Sequence, residues 1–295
     1  MANRTLRTAG DYALAKALFG LTKLVGALPI DRALDTAHAI GTRLGPRASR
    51  HRIVLENLDR ALPDTPRVER ERIAREMWGH QARLIVETAF PDRLFDVDGP
   101  NARVEITGRD VVRERAAAGI GTLFFTGHTG CFEFLPAASR ALDYPMATLF
   151  RPPNNRFIAD RLQRQREGTN GRLVPARAGA ARALATELRG GRGVGVLVDQ
   201  KFRGGPMVPF FGHPAPTNPL VVRLAALTGG LVVPTRCVRL SGNRYRIEIA
   251  EPIQLPRALD GAIDVPASLA GVNGVVETWV REHPEQWMWF HRRWG

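Results

Sequence analysis

The sequence predicts an α/β fold: a central mixed, mostly parallel sheet flanked by helices, preceded by an N-terminal helical extension that associates with a membrane. Three observations carry that expectation. Hydrophobic spacing is helical through residues 1–95. From about residue 103, short apolar runs of strand type alternate with helical segments, the pattern of a sheet covered on both faces. Residues 12–29, YALAKALFGLTKLVGALP, are mostly apolar. The predicted organisation is an anchoring helix over 1–30 and a main unit over 31–295, helical over 31–95 and α/β over 103–295.

Within 12–29, Lys16 and Lys23 fall near one helical face and leave the rest apolar. A helix of that length spans about 27 Å, slightly short of a ~30 Å hydrocarbon core. It reads as a membrane-surface anchor; a tilted or shallow span and an amphipathic core helix fit the same residues. Asp31 is a suitable N-cap for a helix over 32–43. The stretch SRHRIVLENLDRAL (49–62) has helical spacing and is closed by Pro63. The next, RVERERIAREMWGHQARLIVETAF (67–90), ends at Pro91.

The α/β part begins with strand VEITG (104–108) and a glycine-closed helix over 109–119. Strand GTLFFTGH (121–128), helix CFEFLPAASRAL (131–142) and strand MATLFR (146–151) follow. A helix over 155–168, the short strand RLVP, a helix over 178–191 and strand GVGVLVDQ (193–200) come next. Residues 202–216 read as a Gly/Pro-rich loop. After it come helix NPLVVRLAALTGG, strands LVVPTRCVRL and YRIEIAEPIQL, and a final helix from about 265.

Of the 295 residues 44% are hydrophobic, enough for one large domain or one domain with a helical extension. Nothing in the composition suggests disorder, a collagen repeat or a disulfide scaffold. The net charge is +13, and lysine occurs only at 16, 23 and 201, so nearly all the basic charge is arginine. Part of that excess is what GC-rich codon usage produces; the rest predicts an acidic partner, whether nucleic acid, anionic membrane or acidic protein. No helix-turn-helix, RRM or OB signature accompanies the charge, so a nucleic-acid partner is not expected. Cys131 and Cys237 fit a reducing compartment without an obligatory bridge. No CxxC or HExxH cluster points to a metal, and no cleavable signal peptide is evident.

The stretch FFTGHTGCFEF (124–134) sets His128 among glycines with Glu133 five positions later. A helix turns about 100° per residue, so positions five apart do not share a face. The glycines predict a strand, a tight turn and a helix start, with His128 at the strand's end. Two further strand candidates end in ionisable side chains, Arg151 and Asp199. If the three strands are parallel, all three side chains emerge at one sheet edge, where ligands bind in open α/β sheets. Taken singly, His128 fits a structural role, Asp199 a turn cap and Arg151 a solvent-facing cation. Arg156, Arg161, Arg164 and Arg166 fit a solvated helix face in the same way.

A histidine beside a carboxylate is a general base. No G-x-S-x-G elbow is present, and the apolar flank of Cys131 gives no reason for an activated thiol. Direct attack by a hydroxyl activated by His128 is the simpler chemistry. Arg151 suits a phosphate or the charge developing on a thioester oxygen.

The chain resembles the bacterial lipid A biosynthesis acyltransferases, the late lauroyl/myristoyl transferases of the H-x4-D/E superfamily. The likeness rests on ENLDRALP (56–63), HTGCFE (128–133), FRPPNN (150–155), VDQ (198–200), VPFFGHPAPT (208–217) and HPEQWMWFHRRW (283–294). The resemblance implies a glycerolipid-acyltransferase-like fold on the cytoplasmic face of the inner membrane, held peripherally or by a single N-terminal span. It implies acyl carrier protein as donor, a Kdo-bearing lipid A precursor as acceptor and inner-membrane lipids as surroundings, with no metal or bound cofactor. His128 would take the proton of a 3-hydroxyacyl hydroxyl. Glu133 would orient it, with Asp199 competing for that role. Arg151, Asn154, Asn155 and Gln200 would contact substrate. The segment WMWFHRRW fits either a membrane interface or a C-terminal helix closing the core, and His291 within it is not read as the base. Another glycolipid acceptor, such as a phosphatidylinositol mannoside, and a non-enzymatic basic membrane- or nucleic-acid-binding protein are the competing readings.

Overall fold

A computed structural model describes residues 2–100, 102–151, 155, 157–161 and 171–294. The strands are β1 (Val104–Thr107), β2 (Thr122–Thr126), β3 (Met146–Phe150), β4 (Arg172–Pro175), β5 (Gly193–Leu197), β6 (Met207–Phe210), β7 (His213–Pro216), β8 (Leu231–Leu240) and β9 (Arg244–Ile249). Seven of them form one sheet in the order β1-β9-β8-β2-β5-β3-β4. Every neighbouring pair is parallel except β8 and β9. The sheet is thus mixed and mostly parallel, as the alternation of strands and helices predicts.

Period-two alternation along β2 divides the core. Leu123 and Phe125 join one apolar cluster with Val194 and Val196, and Phe124 packs against the other beside Tyr144. Helices α5 (Arg109–Ala117) and α6 (Leu135–Ala141) contribute to the Phe124 side. On the Leu123 side stand α7 (Ala180–Arg189), α8 (Leu220–Thr228) and α9 (Val265–Glu282).

The N-terminal helices share both clusters. They are α1 (Ala2–Gly26), α2 (Ile30–Leu44), α3 (His51–Ala61) and α4 (Arg67–Ala89). Val54, Leu58, Ile73 and Met77 join the first cluster, and Leu34, Leu84 and Val86 the second. Buried Glu87 of α4 accepts from Arg239 of β8 at 2.6 and 2.8 Å and from the Tyr245 hydroxyl at 3.0 Å. Each of these two buried charges is thus compensated by the other.

Several elements differ from expectation. Helix α2 starts after Pro29, and Asp31 sits in its first turn, where its carboxylate accepts from Arg103 at 2.7 and 2.9 Å instead of capping. Part of the expected 202–216 loop is a hairpin, β6 paired antiparallel with β7. Of the helix expected over 155–168, residues 157–161 are helical and 155 forms a bend before them, while 156 and 162–168 lie outside the described residues. Helix α1 is tied at its end by Arg93, which donates to the carbonyls of Gly26 and Leu28 at 2.9 and 3.0 Å. Ala15 is buried, whereas Tyr12, Leu18, Leu24 and Leu28 are exposed. Among the described residues, no helix is long and apolar enough to cross a membrane.

The C-terminal segment is a strap, not the expected helix. After a short turn at Pro284–Gln286 the chain runs extended beside the His128 loop. The Gly130 N–H donates to the Gln286 carbonyl at 3.0 Å and the Met288 N–H to the His128 carbonyl at 3.1 Å. Trp287 and Trp289 are fully buried, so they serve the core and not a membrane interface. From α3, the Asn57 amide donates to the carbonyls of Trp289 and His291 at 2.7 and 2.6 Å. Arg293 is buried too, donating to the Pro216 carbonyl and the Thr217 hydroxyl, both at 2.9 Å. The motifs around 56–63, 208–217 and 283–294 are therefore one interlocked unit.

Asn57→Ala removes both strap bonds and strands the Trp289 carbonyl, while the His291 carbonyl keeps the Arg293 N–H at 2.9 Å. Chemical denaturation should show a loss of about 2–4 kcal/mol; a change under about 0.5 kcal/mol, typical of a neutral surface position, would mean the latch is dispensable.

Candidate active site

The register of β2 against β5 places Thr126 opposite Leu197, and His128 and Asp199 lie two residues beyond each. The Val198 N–H donates to the Thr126 carbonyl at 3.0 Å, carrying the pairing past the strand ends. Two glycines then shape the turn. A Cβ at Gly127 would lie 3.2 Å from Asp199 Oδ2, so glycine leaves room for the carboxylate to reach the backbone. Gly130 has φ +55°, and a Cβ there would lie 1.7 Å from the Cys237 carbonyl oxygen.

Asp199 is 3% exposed and accepts three hydrogen bonds. The His128 backbone N–H and the Trp287 indole N–H both donate to Oδ2 at 2.7 Å. His128 Nδ1 meets Oδ1 at 2.7 Å. Burial works against ionisation here, but the adjacent His128 ring, its N–H and the Trp287 donor outweigh it and hold the carboxyl at about 2. An ionised carboxylate only accepts, so Nδ1 carries the proton and Nε2 presents its lone pair.

The Gln200 amide stands at that lone pair. Its Nε2–H₂ donates to His128 Nε2 at 3.0 Å and to His291 Nε2 at 3.1 Å. His291 Nε2 also lies 2.8 Å from Met288 Sδ. Burial, then the neighbouring His128, push His291 down to about 4, so it is neutral at neutral pH. The edge of Phe132 meets the His128 ring with centroids 5.0 Å apart.

Below these groups an apolar cavity of about 360 Å³ lies on the α5/α6 side of the sheet. Phe124, Leu142, Tyr144, Met146 and Gly195 line it, together with His128, Glu133, Arg151 and Gln200. From Arg151 back to Tyr144 the cavity follows β3, whose five residues span about 17 Å. The Tyr144 hydroxyl donates toward the Ile120 and Gly191 carbonyls, each at 3.3 Å.

The expected site residues separate into groups. Strands β2, β3 and β5 are parallel, so His128, Arg151 and Asp199 do emerge at one edge. Glu133 sits on the turn Phe132–Phe134 and lines the cavity. The described hydrogen bonds of the His128 ring run to Asp199 and Gln200, with none to Glu133 among them. Asn155 is engaged elsewhere: it donates to the Asp11 carbonyl at 2.8 Å and accepts from the Phe157 N–H at 3.0 Å. Asn154 lies outside the described residues. Burial raises the Cys131 thiol far above its usual range, which suits a structural residue and not a nucleophile. Among the described residues, no cluster of three or more His, Cys, Asp or Glu side chains is arranged to hold a metal ion. Trp287 and His291 were not foreseen as neighbours of His128. The one signal was the density of polar and aromatic residues in HPEQWMWFHRRW.

A histidine–carboxylate pair thus opens on an apolar cavity at the carboxyl edge of a mostly parallel sheet. Sequence comparison gives the family. The profile of the bacterial lipid A biosynthesis acyltransferases matches residues 2–295, and the chain belongs to that family. It is similar to the lipid A biosynthesis lauroyltransferase of Escherichia coli (strain K12), 28% identical over 292 residues, which cover 93% of this chain and 89% of the relative. It is also similar to the lipid A biosynthesis palmitoleoyltransferase of the same organism, 26% identical over 272 residues, covering 86% and 83%.

The depressed Asp199 carboxyl links the site to stability. Its ordinary value is 3.8 and its folded value about 2, so ionisation adds about 2 kcal/mol that is fully present above the unfolded value. That contribution is lost as pH falls through the folded value. The stability gap between wild type and Asp199→Asn should therefore shrink as the pH is lowered from 7 toward 2. An unchanged gap would mean the carboxyl is not depressed by folding.

Proposed function

We propose that the protein transfers a fatty acyl chain from an acyl carrier protein thioester to a 3-hydroxyacyl hydroxyl of a Kdo-bearing lipid A precursor, at the cytoplasmic face of the inner membrane. The observation that carries the proposal is the His128 Nε2 lone pair, backed by ionised Asp199 and set over the apolar cavity. The family membership and the names of the two relatives, both lipid A biosynthesis transferases, support the acceptor. The helix α1, with its exposed Leu18 and Leu24, rests on the membrane surface.

In this reaction the acyl chain fills the cavity and brings its thioester carbon beside His128. The acceptor hydroxyl displaces the Gln200 amide from Nε2 and gives its proton to that nitrogen as its oxygen bonds to the carbon. Asp199 stabilises the imidazolium that forms. Gln200, still tethered to His291, turns a freed N–H toward the developing oxyanion, and Arg151 adds positive charge from the same edge. The intermediate collapses with loss of the C–S bond, and the thiolate takes the proton from His128. The products are an ester and free carrier thiol. Asp199 is the orienting carboxylate here, and Glu133 shapes the cavity.

The test is transfer from acyl-ACP to Kdo-lipid IVA. His128→Ala should lose about 10²–10⁴-fold in turnover, and Asp199→Ala should lose far more than Glu133→Ala. Full activity of the His128 variant would sink the base. A greater loss with the Glu133 variant would reverse the carboxylate roles, and no transfer to any hydroxylated glycolipid by folded wild type would sink the reaction itself.

Chain length should be set at the closed end of the cavity. A Cβ at Gly195 would stand 3.5 Å from Met146 Sδ, ordinary contact, so Gly195→Ala folds and narrows the space. It should shift donor preference toward shorter chains, and Tyr144→Ala toward longer ones. Identical chain profiles for both variants and wild type would place the acyl chain elsewhere.

A further inference from the structure

We infer that the basic corner joining α2 to α3 is the docking surface for the acidic carrier that brings the acyl thioester, an inference that rests on the donor named above. Residues 36–55 contain Arg43, Arg47, Arg50 and Arg52, two histidines, and no aspartate or glutamate. Arg52 is paired with Glu56 at 3.4 Å. The other three are exposed, and their described partners are neutral carbonyls: Ala39 for Arg43, Arg43 for Arg47 and Phe290 for Arg50. Their charge is therefore uncompensated by any described carboxylate.

Beside them a surface hollow is lined by Arg43, Leu44, Arg47, His51 and Arg75. Its one acid, Glu71, already accepts from Arg67 at 3.0 Å. Leu44 is 57% exposed, and Ile40, one turn earlier on the same face, is 52% exposed. Guanidinium groups spread over a helix end, a turn and a helix start, around exposed aliphatic side chains, match an acidic protein face better than a single phosphate.

The corner abuts the site. Arg50 Nη1 donates to the Phe290 carbonyl at 3.4 Å, and the next residue, His291, holds the Gln200 amide against His128. Trp78 stacks on Phe290 with centroids 5.4 Å apart and donates its indole N–H to His51 at 3.2 Å. A carrier seated here stands at the rim of the reacting groups.

The membrane side is elsewhere. The segment that follows Arg151 packs on α1, through Asn155 to the Asp11 carbonyl, Phe157 against Tyr12, and Arg161 over Phe19. The corner lies at the far end of α2, whose 15 residues extend about 22 Å from the end of α1. Lipid acceptor and soluble donor thus approach from different sides.

The experiment compares wild type with the double variant Arg43→Glu/Arg47→Glu. Both are assayed with acyl-ACP and with the same acyl group on free pantetheine, at low salt and at about 0.5 M salt, where charge steering is screened. The expected result is a loss of about 10-fold or more in kcat/KM with acyl-ACP at low salt, little loss at high salt, and no change with acyl-pantetheine. Equal losses with both donors, no loss with either, or reduced binding to phosphatidylglycerol vesicles in place of a donor effect would each overturn the docking surface. A wild type that uses acyl-pantetheine and ignores acyl-ACP would instead remove the donor itself, a failure visible without any variant.

Discussion

Everything in the site depends on the pairing of β2 with β5. Because the two strands are parallel and Thr126 faces Leu197, the chain leaves both strands in step. His128 and Asp199 then meet without any side chain having to search for the other. A register slip of one residue would turn every side chain to the opposite face, moving Phe125 out of one core cluster and Phe124 out of the other. The packing of two apolar layers therefore enforces the geometry of one polar pair. Burying a carboxylate is costly, and the arrangement offsets that cost with three donors on two oxygens.

One of those donors comes from the C-terminal strap, which makes the strap part of the site and not merely part of the core. It pairs with the turn around His128, sends the Trp287 indole beneath Asp199 and sets His291 against Gln200. The strap is in turn latched by Asn57 and anchored by buried Arg293. Burial pushes that arginine down to about 10, a sign of how completely protein carbonyls and hydroxyls have replaced its water. Gln286, also buried, closes the unit by exchanging two hydrogen bonds with the backbone of Arg239 at 2.9 and 3.0 Å.

Much of this was legible in the sequence. The alternation of strand and helix gave the sheet, and the three strand ends at His128, Arg151 and Asp199 gave the edge where the site lies. The failures were of two kinds. Local patterns misled where a distant partner decided the outcome: Asp31 resembles a cap, but Arg103 takes its carboxylate. The aromatic strap reads as a membrane-interface segment or a core-closing helix, yet buried carbonyl contacts hold it as a strap. Long-range contacts left no local trace at all. Nothing in the spacing of residues puts position 287 under position 199, and the meeting of Asp199 with His128 turns on strand order, which no single segment encodes.

The cavity has a consequence for how such enzymes diversify. One end, at Tyr144, lies seven positions along the chain from Arg151 at the edge that carries His128, and Gly195, opposite Phe124, lies part of the way between. Relatives sharing only 26% and 28% identity with this chain are named for palmitoleoyl and lauroyl transfer. If the acyl chain fills the cavity as proposed, the cavity's far end can change without disturbing His128 and Asp199. On the proposed reaction, selectivity for the fatty chain and competence in making the ester would be separately heritable.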